Sequence, residues 1–453
     1  MKITGIDIGE YRQFKSIKFD FTYPKGHPKE GQPLEKVCFI GQSGTGKTTL
    51  LNVIWDFFQV VGTSFQRLAN KHIPVNDEPY KTFQDVTINC NLEKDIITLS
   101  NLSLSGDSEW LDLDTNSTLA ALGFHWLRDL GIYNNLKEIT RTGKLCLYVD
   151  EAAVSSSKNL LEEKDSSDRG VVTLKDQASS ILETKIDTPI LGLSEYPSEI
   201  LWSNVLGEID IYDNELKQFA ANLVSKNSFS ESRLISQISQ WQKDHPNPRA
   251  DLAENCLNKI LQLFYLEVDT DGTESRLVLK TKQGEHISGK YLSAGAKQIL
   301  TTSIPIYKIN VSEGVILFDE PERSLFPDIQ RELIGHYTSL APNAQFFFAT
   351  HSPIIASAFE PCERFILYFD ENGEVKFHNG IAPEGDDPND ILRQDFNMAD
   401  LMLQKGLEAY EEYRQLAMQI RAETNEAKKD QLIVKRLELG NRYNFAGQYA
   451  QSK

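Results

Sequence analysis

The chain is 453 residues long, enough for about two to three compact units of roughly 100–200 residues each. It carries 47 Lys and Arg against 65 Asp and Glu, a formal net charge of −18, which excludes a protein that coats nucleic acid by bulk electrostatics; any such contact has to be local. With 40% hydrophobic and 25% charged residues, the composition is that of a folded globular protein, neither disordered nor fibrous.

Cys38, Cys90, Cys146, Cys256 and Cys362 stand far apart without a CxxC pair. They read as reduced core residues of a cytosolic protein, not as a disulfide framework or a zinc site. No run approaches the ~18 apolar residues of a membrane helix, and MKITGIDIGEYRQF lacks the apolar core of a signal peptide. A cytoplasmic location is expected, with no membrane contact except through a partner.

In chain order, Ile3, Ile6 and Ile8, then Phe14, Ile17, Phe19 and Phe21, alternate as a strand pair would, with Gly9 and Glu10 between them. A Gly/Pro/Lys-rich loop follows over 23–33. The short apolar strand Val37–Ile40 runs into GQSGTGKTT and then into LLNVIWDFFQVV, whose apolar residues have helical spacing. VTINCNLEKDIITLSNLSL predicts two strands around Glu93–Asp95, and KLCLYVDE predicts another near Leu145–Val149. The Ser-, Glu-, Lys- and Asp-rich stretch 155–175 reads as an exposed connection. Helices are expected over Ser198 to about Lys226, Glu231 to about Asp244 and Ala250 to about Leu263, and Asp271-Gly272 is a hairpin signal. Beyond them the strand runs GVILFDE and QFFFATHS flank the helical DIQRELIGHYTSL, an alternation that points to a parallel α/β sheet. FILYFD and EVKFH form a further strand pair, and an acidic loop, APEGDDPND, leads into a helical tail beginning near Ile391. No internal repeat and no sustained heptads are present, so long coiled-coil arms are not expected.

The sharpest chemical signal is Gly41-Gln-Ser-Gly-Thr-Gly-Lys47-Thr48, a full GxxxxGK[ST] pattern between a buried strand and a helix. Its glycines let backbone N–H groups cradle phosphates, and the helix start adds partial positive charge. Lys47 brings a point charge to the β- and γ-phosphates, and the Thr48 hydroxyl holds Mg²⁺. Gly41, Ser43, Gly44, Gly46, Lys47, Thr48 and Thr49 are thus the expected ATP contacts. The bland reading, a Gly-rich turn that happens to contain Lys, is disfavoured by the flanking elements.

Gly314-Val-Ile-Leu-Phe-Asp319-Glu320 delivers two carboxylates to the end of a strand. Asp319 is expected on Mg²⁺ and Glu320 as the general base that activates water. Many strands end in acidic turns, so the weight comes from the phosphate loop before it and from the next strand, which ends in Thr350-His351-Ser352-Pro353. His351 at that edge is read as touching the γ-phosphate, against the commoner reading of a histidine merely satisfied by its surroundings. Leu292-Ser293-Ala294-Gly295-Ala296-Lys297-Gln298 precedes the acidic strand and opens a helix. Ser293 is its N-cap and Gly295 permits close backbone approach, so this is either another anion-ready helix start or a plain capped helix.

In this order the motifs resemble the ABC-type ATPase heads of the RecF/SMC and OLD-like group. LSAGAKQ looks like the LSGGQ signature, DEPERSLFP like Walker B with its D-loop, ATHSP like the switch-histidine segment, and GEYRQFKSIKFDF like the start of those heads. The resemblance covers residues 1–60 and about 286–370. It implies an α/β P-loop NTPase, an ABC-type ATPase head with a helical insert and a helical C-terminal segment. It implies Lys47 and Thr48 on phosphate and Mg²⁺, Asp319 on Mg²⁺, Glu320 as base and His351 as γ-phosphate sensor. Ser293 and Gly295 would contact ATP bound to the opposite subunit, so a head-to-head dimer, or a higher assembly of dimers, and slow hydrolysis are expected. Three departures are visible: Ala294 replaces a glycine, Phe326 stands where many relatives have histidine, and no Q-loop glutamine is evident, leaving Gln84 and Gln177 as candidates.

Four regions are expected: 1–100, an N-terminal lobe with Walker A; 101–285, a mixed lobe and helical insert; 286–380, a C-terminal lobe with signature, Walker B and switch histidine; and 381–453, a helical tail. The compact insert and GDDPNDILRQDF before the tail look like the ATPase subunits of bacterial anti-phage systems, the Septu ATPases (PtuA) in particular. Those work with an HNH-nuclease partner and also occur in retron systems. The leading reading is accordingly an ATPase whose nucleotide state gates a partner nuclease, with nucleic acid met through the complex. The alternative is a RecF/SMC-like repair ATPase that clamps DNA directly, which needs a basic stripe; Lys428, Lys429, Lys435 and Arg436 read better as a solvated helix face. A membrane-transporter ATPase fits poorly, because about 240 residues separate phosphate loop and signature. A self-contained OLD-type nuclease would need spaced carboxylate ligands in the last 100 or so residues, and these are not evident. In the tail, Leu401, Leu403, Leu407, Tyr410, Tyr413, Leu416 and Ile420 form an apolar stripe, read as packing against the head or as a docking surface.

Overall fold

The computed structural model describes residues 1–68, 78–92, 95–100, 103–105, 140, 143–155, 189–194, 198–225, 231–270, 277–287, 291–309, 311, 313–398 and 400–445. The predicted connection at 155–175 lies almost entirely outside the described residues, as do Asp271-Gly272 and Gln177. The chain divides into two compact units, Met1–Asp386 and Asp387–Lys453.

In the first unit, β1 (Lys2–Tyr11) and β2 (Phe14–Asp20) form the predicted antiparallel pair, but the reversal lies at Arg12 and Gln13, since Tyr11 pairs with Phe14. Gly9 serves a different purpose. Its N–H donates to the Asp85 carbonyl at 2.8 Å, and a β-carbon there would crowd that oxygen at 3.3 Å, so glycine permits a close strand approach while Arg12 takes the left-handed turn conformation at φ 53°. β3 (Lys36–Gly41) leads into α1 (Lys47–Leu68), and β4 (Val86–Leu92), β5 (Asp95–Ser100) and β6 (Ser103–Ser105) follow. Two sheets share these strands. An antiparallel sheet has the order β2-β1-β4-β5-β6.

The larger sheet is completed by β7 (Cys146–Val149), β8 (Ile190–Gly192), β12 (Val315–Asp319), β13 (Gln345–Thr350), β14 (Arg364–Phe369) and β15 (Val375–Asn379), in the order β15-β14-β3-β13-β12-β7-β8. All its neighbours run parallel except β14 and β15. Its central strands are buried along their lengths, as unbroken apolar runs such as Val37–Ile40 and Val315–Phe318 require of a sheet covered on both faces. Register aligns the strand ends: Ile40 pairs with Thr350, and Ala349 with Asp319.

Between the two sheets lies the main core. Phe19 and Phe21 meet Phe39, Phe347 and Phe365, and Phe19 stacks on Phe377 at 4.5 Å between ring centroids. Each buried ring contributes about 1.5–3 kcal/mol through area alone. One polar side chain crosses this apolar layer. Gln345, fully buried at the start of β13, accepts the Ile3 N–H at 2.7 Å and donates to the carbonyls of Ile3 and Leu34 at 2.9 and 2.8 Å. It joins β1 to the central sheet with every bond satisfied.

A second apolar cluster joins α2 (Ser198–Ser225) to a helical run over 248–264, to β9 (Leu266–Val268) and β10 (Leu279–Thr281), and to α4 (Ala294–Lys308). α3 (Glu231–Asp244) sets Trp241 against Tyr212 and Phe219 of α2. The predicted insert helices are thus present, the last of them interrupted by a π turn at Leu252–Leu257. β11 (His286–Ile287) pairs with β10, and α5 (Pro327–Leu340) joins β12 to β13. In the second unit, α6 (Gln404–Ala422) and α7 (Glu426–Tyr443) form a helical pair in which Tyr410 and Tyr413 of the apolar stripe pack on Phe445. Among the described residues, no helix is long and apolar enough to cross a membrane.

Gln345→Leu keeps volume but strands one buried N–H and two buried carbonyls. A loss of about 3 kcal/mol is expected in urea unfolding of the full chain. An unchanged midpoint would show that the amide bridge contributes nothing.

Candidate nucleotide-binding site

β3 leaves the sheet at Gly41, whose φ is 143° and whose β-carbon, if it had one, would overlap the Leu367 carbonyl of neighbouring β14. Only glycine lets the chain turn out at that place. Gly44 and Gly46 also have positive φ, 84° and 98°, and the Gly46 position is closed over by the Gln13 amide and the Phe14 ring. The loop therefore arches between β3 and the start of α1, leaving Ser43 and Gly44 exposed and Thr49 buried. The Lys47 ammonium folds back on its own loop, donating to the carbonyls of Gly41 and Gln42 at 3.0 Å each. Burial holds it down to about 8, against the opposing pull of Asp319, Glu320 and Glu322.

Asp319 ends β12, and the Thr48 side chain lies near enough to its carboxylate to favour the charged form. Burial pushes the Asp319 carboxyl up to about 6; Thr48 works against this rise, and the charges of Glu320 and Glu151 add to it. A hydroxyl and a carboxylate side by side form the hard-oxygen pair that suits Mg²⁺, and a divalent cation there would relieve the charge that this buried carboxylate otherwise sheds by taking a proton. The donor set thus fits the ion.

Beyond Asp319 the chain turns sharply. Glu320 takes φ 50° and Ser324 φ 60°, left-handed conformations that cost a non-glycine residue on the order of 1–2 kcal/mol each and cluster at functional sites. Several bonds hold the turn: Glu320 N–H donates to Ala349 O at 2.8 Å, and the buried Gln298 amide donates to Pro321 O at 2.7 Å. The Glu320 carboxylate stays partly open to solvent, 4.0 Å from Arg323, which also pairs with Glu151. His351 emerges from β13, between β3 and β12, and is exposed. Burial of part of the ring and the Lys47 charge lower its pKa, which favours the neutral imidazole.

Lys47, Thr48, Asp319, Glu320 and His351 therefore share one sheet edge and feel one another's charge. Ser293 and Gly295 lie on a separate element, whose start packs on the turn after Glu320. They form the N-terminus of α4, where the Ser293 hydroxyl accepts the Ala296 N–H at 3.2 Å and Gly295 leaves no room for a side chain beside the Ser324 carbonyl. Ser293 and Ala294 are exposed, and so is Phe326 at the start of α5. Gln84 is exposed beside α1's neighbouring short helix, its N–H on Lys81 O.

Two residues escaped the sequence reading. Gln13 donates to the Thr49 hydroxyl at 3.3 Å, and Glu322 accepts from the His351 backbone. Glu322 was visible as a further acid in DEPE, and Gln13 in GEYRQF, but neither pattern names a partner.

A lysine, a hydroxyl–carboxylate pair, a second carboxylate and an imidazole at one edge can hold a phosphate–metal pair and take a proton from water. The chain is 22% identical over 385 residues to the Retron Vc95 probable ATPase of Vibrio cholerae serotype O1 biovar El Tor, an alignment covering 78% of this chain and 71% of that one. Among solved structures, the Smc head domain with an extended coiled coil bound to the C-terminal domain of ScpA, from Pyrococcus furiosus, covers 91% of this chain and 99% of its own at 13% identity and a TM-score of 0.36. An SmcHead bound to the C-winged helix domain of ScpA covers 84% and 97% at 11% identity and a TM-score of 0.39. The AAA ATPase domain model, AAA_15, matches residues 1–266 and 204–356, more than half of the sequence, and the chain belongs to that ATPase family.

Proposed function

We propose that the chain binds Mg·ATP at the loop 41–49 and hydrolyses it. The observation that carries this reading is the alignment of β3, β13 and β12, whose ends bring Lys47, His351, Asp319 and Glu320 to one edge. Lys47 releases the carbonyls of Gly41 and Gln42 for phosphate oxygens, and the loop N–H groups orient the triphosphate. Thr48 and Asp319 hold Mg²⁺, which neutralises phosphate charge. Glu320 takes the proton of the attacking water, and neutral His351 offers a hydrogen bond to the γ-phosphate. Exposed Ser293, with the helix start at Gly295, contacts the nucleotide of a second copy in a head-to-head dimer.

The nucleotide state of that dimer gates a separate HNH-type nuclease in phage defence, on the pattern of the Septu ATPases. The likeness to a retron ATPase supports this assignment, and so does the net charge of −18, which suits a regulator better than a DNA clamp. The helical pair of the second unit is the candidate docking segment.

Lys47→Ala is expected to weaken ATP binding at least tenfold, about 1.4 kcal/mol, in a fluorescent-nucleotide titration; unchanged affinity would remove the phosphate-loop reading. Glu320→Gln should slow turnover by roughly 10²-fold or more and, with ATP present, shift the chain toward dimer in light scattering. No gain in association would sink the sandwich. For the defence role, cells expressing the chain with its flanking genes should resist phage and lose resistance with Lys47→Ala, so equal plaque counts would refute it.

A further inference from the structure

One half-buried acid at this edge has no part in the chemistry above. Glu322 stands three residues beyond the end of β12, and its Oε1 accepts two hydrogen bonds from the segment that carries His351: the Thr350 hydroxyl at 2.6 Å and the His351 N–H at 3.0 Å. The Thr350 hydroxyl in turn accepts the Ser352 N–H at 2.9 Å. The Ser352 hydroxyl donates to Gln330 Oε1 at 2.7 Å, and the Gln330 amide donates to Leu325 O at 2.9 Å, which returns to the turn that began at Glu320. Glu322 Oε2 is buried and has no hydrogen-bond partner among the described residues, and burial raises the pKa of this carboxyl. An unpaired buried carboxyl oxygen is costly, so apolar packing alone would not favour a glutamate here.

We propose that Glu322 is a positioning residue, which fixes the His351 backbone to the Glu320 turn so that histidine and base move as one unit. The inference rests on the roles given above to Glu320 and His351. Its physical basis is that two donors from consecutive residues, Thr350 and His351, converge on one oxygen. A single rotamer of Glu322 thus sets where β13 ends relative to the strained turn. Glu320 N–H on Ala349 O makes the same connection one residue earlier, so loss of Glu322 leaves the strands paired but frees the histidine.

The test is a double-mutant cycle on the full chain, read by steady-state and single-turnover ATP hydrolysis. Glu322→Ala is expected to lower kcat at least tenfold with KM for ATP within about twofold. Glu322→Gln, whose amide oxygen accepts the same two bonds, should retain most of the activity. Glu322→Ala combined with His351→Ala should be no slower than His351→Ala alone, within about twofold, because the first residue acts through the second. Thr350→Val removes one donor at constant shape and should give a smaller kcat loss, which keeps the proposal testable if Glu322→Ala does not fold. Multiplicative losses in the double variant, or an effect on KM or melting alone, would overturn the proposal. If His351→Ala and Glu320→Gln both turn over like the unsubstituted chain, the underlying catalytic reading fails; if they are slow while Glu322→Ala and Thr350→Val are normal, only the positioning role fails.

Discussion

The parallel hydrogen-bond register of β3, β13 and β12 is the constraint on which the rest of the head depends. With Ile40 opposite Thr350 and Ala349 opposite Asp319, three strand ends that are up to about 300 residues apart in the chain finish level with one another. A parallel ladder repeats every two residues, so a slip by one would exchange the side chains that pack on the two covered faces and offset the charged ends. The core enforces the register from both sides. Phe39, Phe347 and Leu317 face the antiparallel sheet, while Phe318, Phe348 and Phe346 pack on the other face with Tyr337 and Phe359. Gln345 at the start of β13 then pins the whole ladder to β1.

Electrostatics at the edge follows from that geometry. Asp319, Glu320 and Glu322 lie close enough to Lys47 to oppose the effect of its burial, and the same burial pushes Asp319 up to about 6. On the proposed function, a divalent cation would relieve these carboxylates and a polyanion would draw Lys47 from its own loop carbonyls.

Local patterns were read correctly where the chemistry is contiguous. GQSGTGKT, VILFDE and FATH each combine a strand with the residues at its end, so period and motif agree and the segments form as predicted. The failures share one cause. Gly9 reads in the sequence as lying between two strands, yet it sits inside β1 and contacts Asp85, which lies 76 residues away. The insert helix near Leu252 carries a π turn that burial of Ala253 and Cys256 in the second apolar cluster accompanies, and no sequence period announces it. Gln13 and Glu322 have meaning only through Thr49 and through Thr350 and His351.

By itself the sequence determined the fold class, the glycine loop between a strand and a helix, and the carboxylates that end a buried strand, because each is written in consecutive residues whose spacing sets their local geometry. Tertiary structure decided which strand lies between which, how close Asp319 comes to Thr48, and that the start of α4 at Gly295 abuts the Ser324 carbonyl. It also decided that a second acid beside Glu320 turns inward to the histidine segment. These outcomes depend on long-range pairing, where the free energy of burying two apolar faces selects among arrangements that the local sequence leaves equally open.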